Sequence, residues 1–335
     1  MSMADPWPRA LAEAWHPIAY AREIGARPVA RMLMDRPVVV WRSADGLSVL
    51  EDRCPHRNVP LSGGRIDAGV LSCPYHGWEF GGDGQLLRVP GSSECPATAA
   101  RAFPVIERAG LIWTSFATEP APFPELPAAI SDPTRDCFWW RVDSSQARIA
   151  DAIENILDPM HSYFVHPGFV RASRKPIPMD LELRIDGQGC EARYTEARET
   201  MTWLQRFAEG DRVCSNNRYL APSITEVEFV STKGVTITIT TVLSPEAKDR
   251  TRPYAHFAMR KGWMPGWIKR LALTMFLIPI LKQDRAALRA QAQNVERFGE
   301  TAYTMGPIDY FGPMIWRLLN GEPQPVETRH LRIVG

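Results

Sequence analysis

Two short knuckles, Cys54-Pro-His56 and Cys73-Pro-Tyr-His76-Gly-Trp78, stand sixteen residues apart between His56 and Cys73. Four such side chains in two loops ask for a metal, and a shared metal dictates how the intervening chain must fold back on itself. Zinc accepts a Cys/His quartet, but its usual spacing puts two cysteines in one knuckle and two histidines in the other. Here each knuckle contributes one of each. That division suits a two-iron cluster, with both thiolates on one iron and both imidazoles on the other. Exchanging two anionic thiolates for neutral imidazoles raises the potential, to roughly −150 to +300 mV, which makes the cluster an electron acceptor. Pro55 and Pro74 stiffen the loops, and Gly63, Gly64 and Gly77 fit tight turns that bring backbone near the sulfurs.

Around the knuckles the text is strand-like. Val38–Trp41, Leu47–Leu50, Val70–Ser72 and Leu111–Trp113 are short β-rich runs punctuated by Gly, Pro and Asp. A proline-rich stretch over 119–135 reads as a linker, which divides the 335 residues into a first domain at 1–118 and a second at 136–335. In the second, apolar residues recur at helical spacing from Ala147 to about Phe164, strands alternate between Leu181 and His256, and a last helical block covers about Trp267 to Gly299. The predicted class is α+β, an all-β domain followed by an antiparallel sheet with flanking helices.

Composition narrows the function. A net charge of +1 leaves no basic footprint for nucleic acid. Six irregularly spaced cysteines and the lack of a basic, apolar leader point to reduced thiols and a cytoplasmic location. The most apolar run, Leu271 to Leu281, is eleven residues long and too short to span a bilayer.

A second cluster of metal-type residues follows the linker: Glu154-Asn155-Ile-Leu-Asp158-Pro-Met-His161-Ser-Tyr-Phe-Val-His166-Pro167. Histidines five apart lie about 140° apart on an ideal helix, so His161 and His166 meet at one metal only where the helix ends or distorts. Pro167 supplies a reason, because it biases His166 away from helical geometry. Asp158 and His161 share a helix face. Two neutral imidazoles need an anion to complete a facial triad for Fe(II). Asp284, read as opening a helix after an apolar run, is the candidate, although spacing alone leaves other carboxylates available.

The first motif, C-x-H then C-x-x-H, resembles the Rieske [2Fe-2S] domain over about Trp15 to Thr118. The extra loop cysteines of high-potential Rieske proteins are missing, as in the oxygenase type. With N-x-x-D-x-x-H-x-x-x-x-H and the distant D-x-x-x-x-x-x-Q, nearly the whole chain resembles the Rieske non-haem iron oxygenases, in the homo-oligomeric branch that includes dicamba and vanillate O-demethylases. The resemblance implies a helix-grip catalytic domain, cluster ligands Cys54, His56, Cys73 and His76, and iron ligands His161, His166 and Asp284. It places Asn155 near the metal and makes Asp158 the bridge to a Rieske histidine of the next subunit in a head-to-tail homotrimer.

It also implies electrons from NAD(P)H through a flavin reductase, with or without a ferredoxin, and O₂-dependent hydroxylation or O-demethylation of a small aromatic or other apolar cyclic substrate. Demethylation would proceed by hydroxylating a methoxy carbon to a hemiacetal that loses formaldehyde. Cis-dihydroxylation is the alternative, since the same ligands serve it. A bare electron carrier, or a ligand-binding module with an inactive iron site, would leave the second cluster idle. Near Thr241 the chain lacks the substrate-contacting histidine of the dicamba enzyme.

Several further residues bear on the pocket. Trp203, Phe207, Tyr219 and Phe229 could line an apolar cavity or simply be core, and Asn216, Asn217 and Arg218 read as a solvated loop or as an anchor for a polar group. His256 could face the pocket or be structural. The block Trp263–Leu281 could cap the pocket, be buried helix, or contact a membrane. Arg53, Arg57, Arg65 and Arg88 flank the knuckles and are either solvated surface or an attraction for an acidic ferredoxin.

Overall fold

The computed structural model describes residues 7–167, 170, 178–195, 212–299, 303–322 and 324–333. They form two compact units, the first dominated by Ala12–Pro124 and the second by Glu125–Leu243 with Lys248–Gly335.

The first unit is built from three small sheets. Strands Val29–Leu33, Arg36–Ser43, Gly46–Glu51 and Ala102–Phe103 form one, and His16–Tyr20, Leu111–Thr114 and Val105–Arg108 form another. The third, from Arg65–Asp67, Val70–Ser72, Glu79–Phe80 and Leu86–Arg88, carries the second knuckle between two of its strands. The run Pro37-Val-Val-Val-Trp41 is continuously apolar because both of its faces are covered. Val38 and Val40 join a core with Ile18, Leu33 and Ile112, while Val39 and Trp41 join a second with Leu61, Leu71, Phe80 and the two knuckle cysteines. Trp41 is fully buried and donates from Nε1 to the Gly69 carbonyl at 3.1 Å. Trp41→Ala is expected to cost about 3–5 kcal/mol, through a cavity and an orphaned carbonyl. Urea unfolding of the iron-loaded protein measures it, and a loss below about 1 kcal/mol would mean that this core closes around the gap.

The second unit is a nine-stranded sheet over which the helices lie. From Met179–Asp186 the chain runs as a meander through Gly189–Thr195, Arg212–Leu220, Ile224–Ser231, Gly234–Ala247 and Arg250–Arg260. Strand Arg135–Arg141 closes the last edge, with Ser145–Gln146 pairing beside it, and Val326–Ile333 closes the first. With α1 the four-residue turn Arg9–Ala12, the helices here are α2 (Ile149–Leu157), α3 (Ser162–Val165), α4 (Gly266–Phe298) and α5 (Phe311–Leu319). Helix α2 packs on α5 and on strands Arg212–Leu220 and Ile224–Ser231. The expected α+β class holds.

Two local expectations change. The single helix from Ala147 to Phe164 is two helices, because Pro159 has no N–H to donate and turns Asp158 to extended geometry, φ −76° and ψ 119°. Asp284 does not open a helix. It lies in the middle of α4, whose 33 residues run through Pro279 without interruption.

Candidate metal centres

The two knuckles are built alike. Each cysteine carbonyl accepts an amide four residues on, Asn58 to Cys54 at 2.8 Å and Gly77 to Cys73 at 3.1 Å. Each cysteine amide donates across its own loop, to Val59 at 2.9 Å and to Trp78 at 2.8 Å. The turn needs a left-handed residue at the fourth position, which Asn58 (φ 60°) and Gly77 (φ 70°) supply. Of the paired glycines, Gly64 is required by proximity instead, since a Cβ there would meet the Ser72 carbonyl at 2.0 Å, beside Cys73. Asp52 stitches the first loop by accepting from the Ser62 amide at 2.7 Å and hydroxyl at 2.6 Å.

The thiols point inward and the imidazoles outward. Cys54 and Cys73 are 1% and 5% exposed, within the apolar core, whereas His56 is half-buried and His76 exposed. Burial pushes the Cys54 thiol up, and the neighbouring Cys73 adds to the rise. A metal reverses that by taking the proton's place. The imidazoles sit 4.7 Å apart between centroids, and His56 stacks flat on Trp78 at 4.4 Å and 1°. All four predicted ligands therefore converge on one end of the unit, with a buried sulfur side and a solvent-facing nitrogen side. All four flanking arginines are exposed; Arg53 pairs with Glu51 at 2.7 Å and Arg88 with Glu79 at 3.0 Å.

The second centre depends on the break at Pro159. Asp158 folds back to cap the next turn, accepting from the Met160 amide at 2.8 Å and the His161 amide at 3.0 Å. Asp158 and His161 thus share a capped turn, not the helix face expected. His161 precedes α3, and His166 ends it at φ −118° and ψ 46°. One short turn between two breaks brings both rings to the same point, 5.4 Å apart between centroids and 81° between planes.

Asp284 of α4 faces them. Its Oδ1 lies 2.8 Å from His166 Nε2 and 3.4 Å from His161 Nε2, and the ligand atoms of all three residues fall within 4.8 Å of one another. His166 Nε2 and Asp284 Oδ1 are buried and make no hydrogen bond of acceptable geometry despite their closeness. Buried polar atoms without partners are costly, and a divalent cation between them removes the cost. Two imidazoles and one carboxylate on one side of an ion is the facial arrangement suited to Fe(II). The residues present fit that metal.

One outer nitrogen is held as well: His166 Nδ1 is 2.9 Å from Gln283 Oε1, whereas His161 Nδ1 lies 3.6 Å from Asp158 Oδ2, an ion-pair distance without a hydrogen bond. An acceptor at Nδ1 keeps the proton there and leaves Nε2 free for a metal. Gln283 was not singled out by the sequence reading, though its place beside Asp284 was a signal. Burial disfavours a charged His161, but the carboxylates of Asp158 and Asp284 beside it prevail and hold its pKa at about 9. Burial likewise works to raise Asp284 and Asp158, yet their histidine partners, and for Asp158 the two amides, keep both below the usual carboxylate range. In the metal-free protein the His161 imidazolium therefore contributes stability in full below about pH 6.5 and loses it as pH rises through about 9. Thermal midpoints of the metal-free protein are expected to fall across that window, and those of the metal-loaded protein to stay level. A level metal-free curve would show that the carboxylates do not hold this proton.

A cavity of about 290 Å³ opens beside the triad. Its exposed wall is mostly apolar, from Trp140, Val142, Phe229, Phe257, Ile280 and Leu281, with Asn155, Arg212, Ser215, Asn217 and Thr241 among the polar groups. Asn217 is 4% exposed and donates to the Leu157 carbonyl at 2.7 Å, tying the end of α2 to the sheet. It lies with Asn216 and Arg218 on strand Arg212–Leu220, so the solvated loop expected there is a strand. Arg218 faces away from the cavity, paired with Glu191, Glu226 and Glu228.

Strand alternation sorts the other candidates. Ala255 and Phe257 line the cavity, while His256 between them is outside its wall, packed edge-on to Trp139 at 5.0 Å. Burial lowers its pKa to about 4, so it is a neutral core imidazole. Tyr219 is core too, donating to the Pro222 carbonyl at 2.9 Å, and Phe229 alone of the described aromatic candidates lines the cavity. Trp203 and Phe207 lie outside the described residues. A further group was missed: burial, together with the charges of Asp309, Asp158 and Asp151, lifts Glu154 to about 7. The spacing of Asp151, Glu154 and Asp158 along α2 was its legible signal.

Known proteins share this succession of two domains. Residues 14–104 match the Rieske [2Fe-2S] domain, and residues 145–320, more than half of the chain, match the vanillate O-demethylase oxygenase C-terminal domain. The oxygenase component of dicamba O-demethylase from Stenotrophomonas maltophilia is 35% identical over 190 residues, covering 51% of this chain and 54% of that protein. The methylxanthine N1-demethylase NdmA of Pseudomonas putida is 32% identical over 197 residues, covering 52% and 53%. The chain thus spans about half the length of the relatives it matches. In three dimensions, dicamba monooxygenase bound to dicamba superposes with a TM-score of 0.78 at 24% identity, over 93% of this chain and 97% of the other, which establishes a common fold. With the catalytic-domain match spanning more than half its length behind a Rieske domain, the chain belongs to the Rieske non-haem iron oxygenases, in the vanillate O-demethylase oxygenase family.

Proposed function

We propose that this protein is the terminal oxygenase of a multicomponent system that hydroxylates or O-demethylates a small aromatic or other apolar cyclic substrate. Its electrons come from NAD(P)H through a flavin reductase, with or without a ferredoxin. The observation that carries this reading is the convergence of His161 Nε2, His166 Nε2 and Asp284 Oδ1 at the wall of an apolar cavity. These residues would hold iron, and Cys54, His56, Cys73 and His76 a [2Fe-2S] cluster, which would supply dioxygen activation and the second electron.

The chain's own residues do the positioning. Apolar walls bind the ring and exclude water, and a cavity of about 290 Å³ is at the small end of ligand pockets. Asn155, Asn217 and Thr241 are among the polar groups of the wall that can orient a substituent. Gln283 fixes the His166 imidazole from behind, and the Asp158 carboxylate lies 3.6 Å from the outer nitrogen of His161. The outward imidazole side of the first site is where an electron partner, or the next subunit, gains closest approach. Asp158, a third exposed, is proposed to meet that side across the boundary of a head-to-tail homotrimer.

Demethylation is favoured over ring dihydroxylation by the relatives, which include a dicamba O-demethylase and a methylxanthine N1-demethylase. The test is a panel of methoxyarenes with reconstituted reductant, scored for product mass and formaldehyde. Formaldehyde formed in step with substrate loss is expected. Vicinal diols in its place would overturn demethylation, and no oxygen consumption with any apolar ring would overturn the oxygenase reading.

A further inference from the structure

Helix α4 has two faces with different surroundings. Phe276, Leu277, Ile280 and Leu281 wall the cavity. The opposite face is open: Trp267 is 70% exposed, Leu271 56%, Met275 68% and Ile278 44%, with Trp263 just ahead of the helix at 90%. At about 100° per residue, these four helical side chains fall within an arc of about 80°. Single exposed apolar residues need no explanation, but a continuous stripe does.

The same arc continues into the second half of the helix as Lys282, Arg285 and Arg289. These three and Arg250 line a groove of about 690 Å³ whose only acidic member is Asp249. Lys282 and Arg289 are exposed, and the sequence from Arg250 to Gln283 contains no Asp or Glu at all. Two cations of this face are already engaged: Lys269 pairs with Asp136 at 2.6 Å, and Arg285 donates to the Ser144 carbonyl at 3.1 Å and lies 3.7 Å from Asp143.

We propose that this face of α4 docks on an anionic lipid surface, the stripe from Trp263 to Ile278 entering the acyl boundary and Lys282 and Arg289 meeting headgroup phosphates. Aromatic and aliphatic side chains beside basic ones are the composition of a helix that lies in a membrane interface. No described helix is long and apolar enough to cross a membrane, so α4 rests on the surface. A second copy meeting this face with the same face of its own would bring it more cations and no counter-charge. A lipid surface supplies both an apolar phase and phosphates. The arrangement sets the cavity directly behind the docked helix, where an apolar ligand dissolved in lipid has a short path to it. The inference goes beyond the oxygenase reading and does not depend on it.

The test is co-sedimentation of the iron-loaded full chain with vesicles of phosphatidylglycerol and phosphatidylcholine in equal parts, against phosphatidylcholine alone, at low salt. Binding at least tenfold tighter to the anionic vesicles is expected, weakening as salt is added. Leu271→Glu with Met275→Glu, and separately Lys282→Glu with Arg289→Glu, are each expected to lower it at least tenfold. Circular dichroism and iron content stay unchanged, because all four side chains are exposed. Absence of binding to the anionic vesicles, or binding that neither double variant alters, overturns the proposal. So does a drop in oligomer mass on Leu271→Glu with Met275→Glu while vesicle binding persists, which would assign the face to a second copy.

Discussion

Asp284→Ala is expected to lower the iron content of the purified protein from about three to about two per chain and to abolish turnover, with the visible spectrum of the cluster unchanged. Asp284 is the one anion of the triad, and its Oδ1 approaches the Nε2 atoms of His166 and His161 at 2.8 and 3.4 Å. Without it two neutral imidazoles remain, which bind a hard divalent ion far more weakly. The fold should survive, because position 284 is internal to α4 and alanine is the best helix former. Iron analysis beside the cluster absorbance separates the two sites. Retention of the third iron would remove Asp284 from the ligand set.

Asp158→Asn is expected to leave both iron sites filled and to slow turnover about a hundredfold or more. The side chain caps the turn before α3 through the amides of Met160 and His161 and lies 3.6 Å from His161 Nδ1. Asparagine keeps the shape and can accept one of those amides, so the structural cost is about 1 kcal/mol. What it loses is the charge, which raises the basicity of the His161 ring and which the proposed trimer would present to a Rieske histidine of the next subunit. Single-turnover experiments read this directly, by following reoxidation of the reduced cluster in the presence of O₂ and substrate. Reoxidation at the wild-type rate would reduce Asp158 to a helix cap.

The first site was nearly complete in the sequence because everything it needs is local. Cys54 with His56, and Cys73 with His76, are each carried by one turn, and the shared rule of Cys-Pro followed by a left-handed fourth residue is written in the chain. The role of Asn58 beside that of Gly77 was overlooked, since asparagine reaches a positive φ less obviously than glycine. At the second site the two histidines were visible, but the cause of their convergence was sought at Pro167 when the larger break is at Pro159. Asp284 could be singled out from other carboxylates only through family resemblance, as more than a hundred residues separate it from His166.

Residue identity at short range, then, determined the ligand types, the two metal classes, the buried strands such as Pro37–Trp41 and the α+β class. The tertiary structure decided which side chains face the cavity. In a strand a step of one residue reverses the face, so Ala255 and Phe257 line the wall and His256 does not, and Phe229 lines it while Tyr219 belongs to the core. It also decided that α4 runs unbroken through Pro279, bringing Asp284 to the histidines on one side and leaving Trp267, Leu271 and Met275 open on the other. Local spacing cannot encode either outcome, because both depend on which surfaces a sheet and a long helix find to bury against each other.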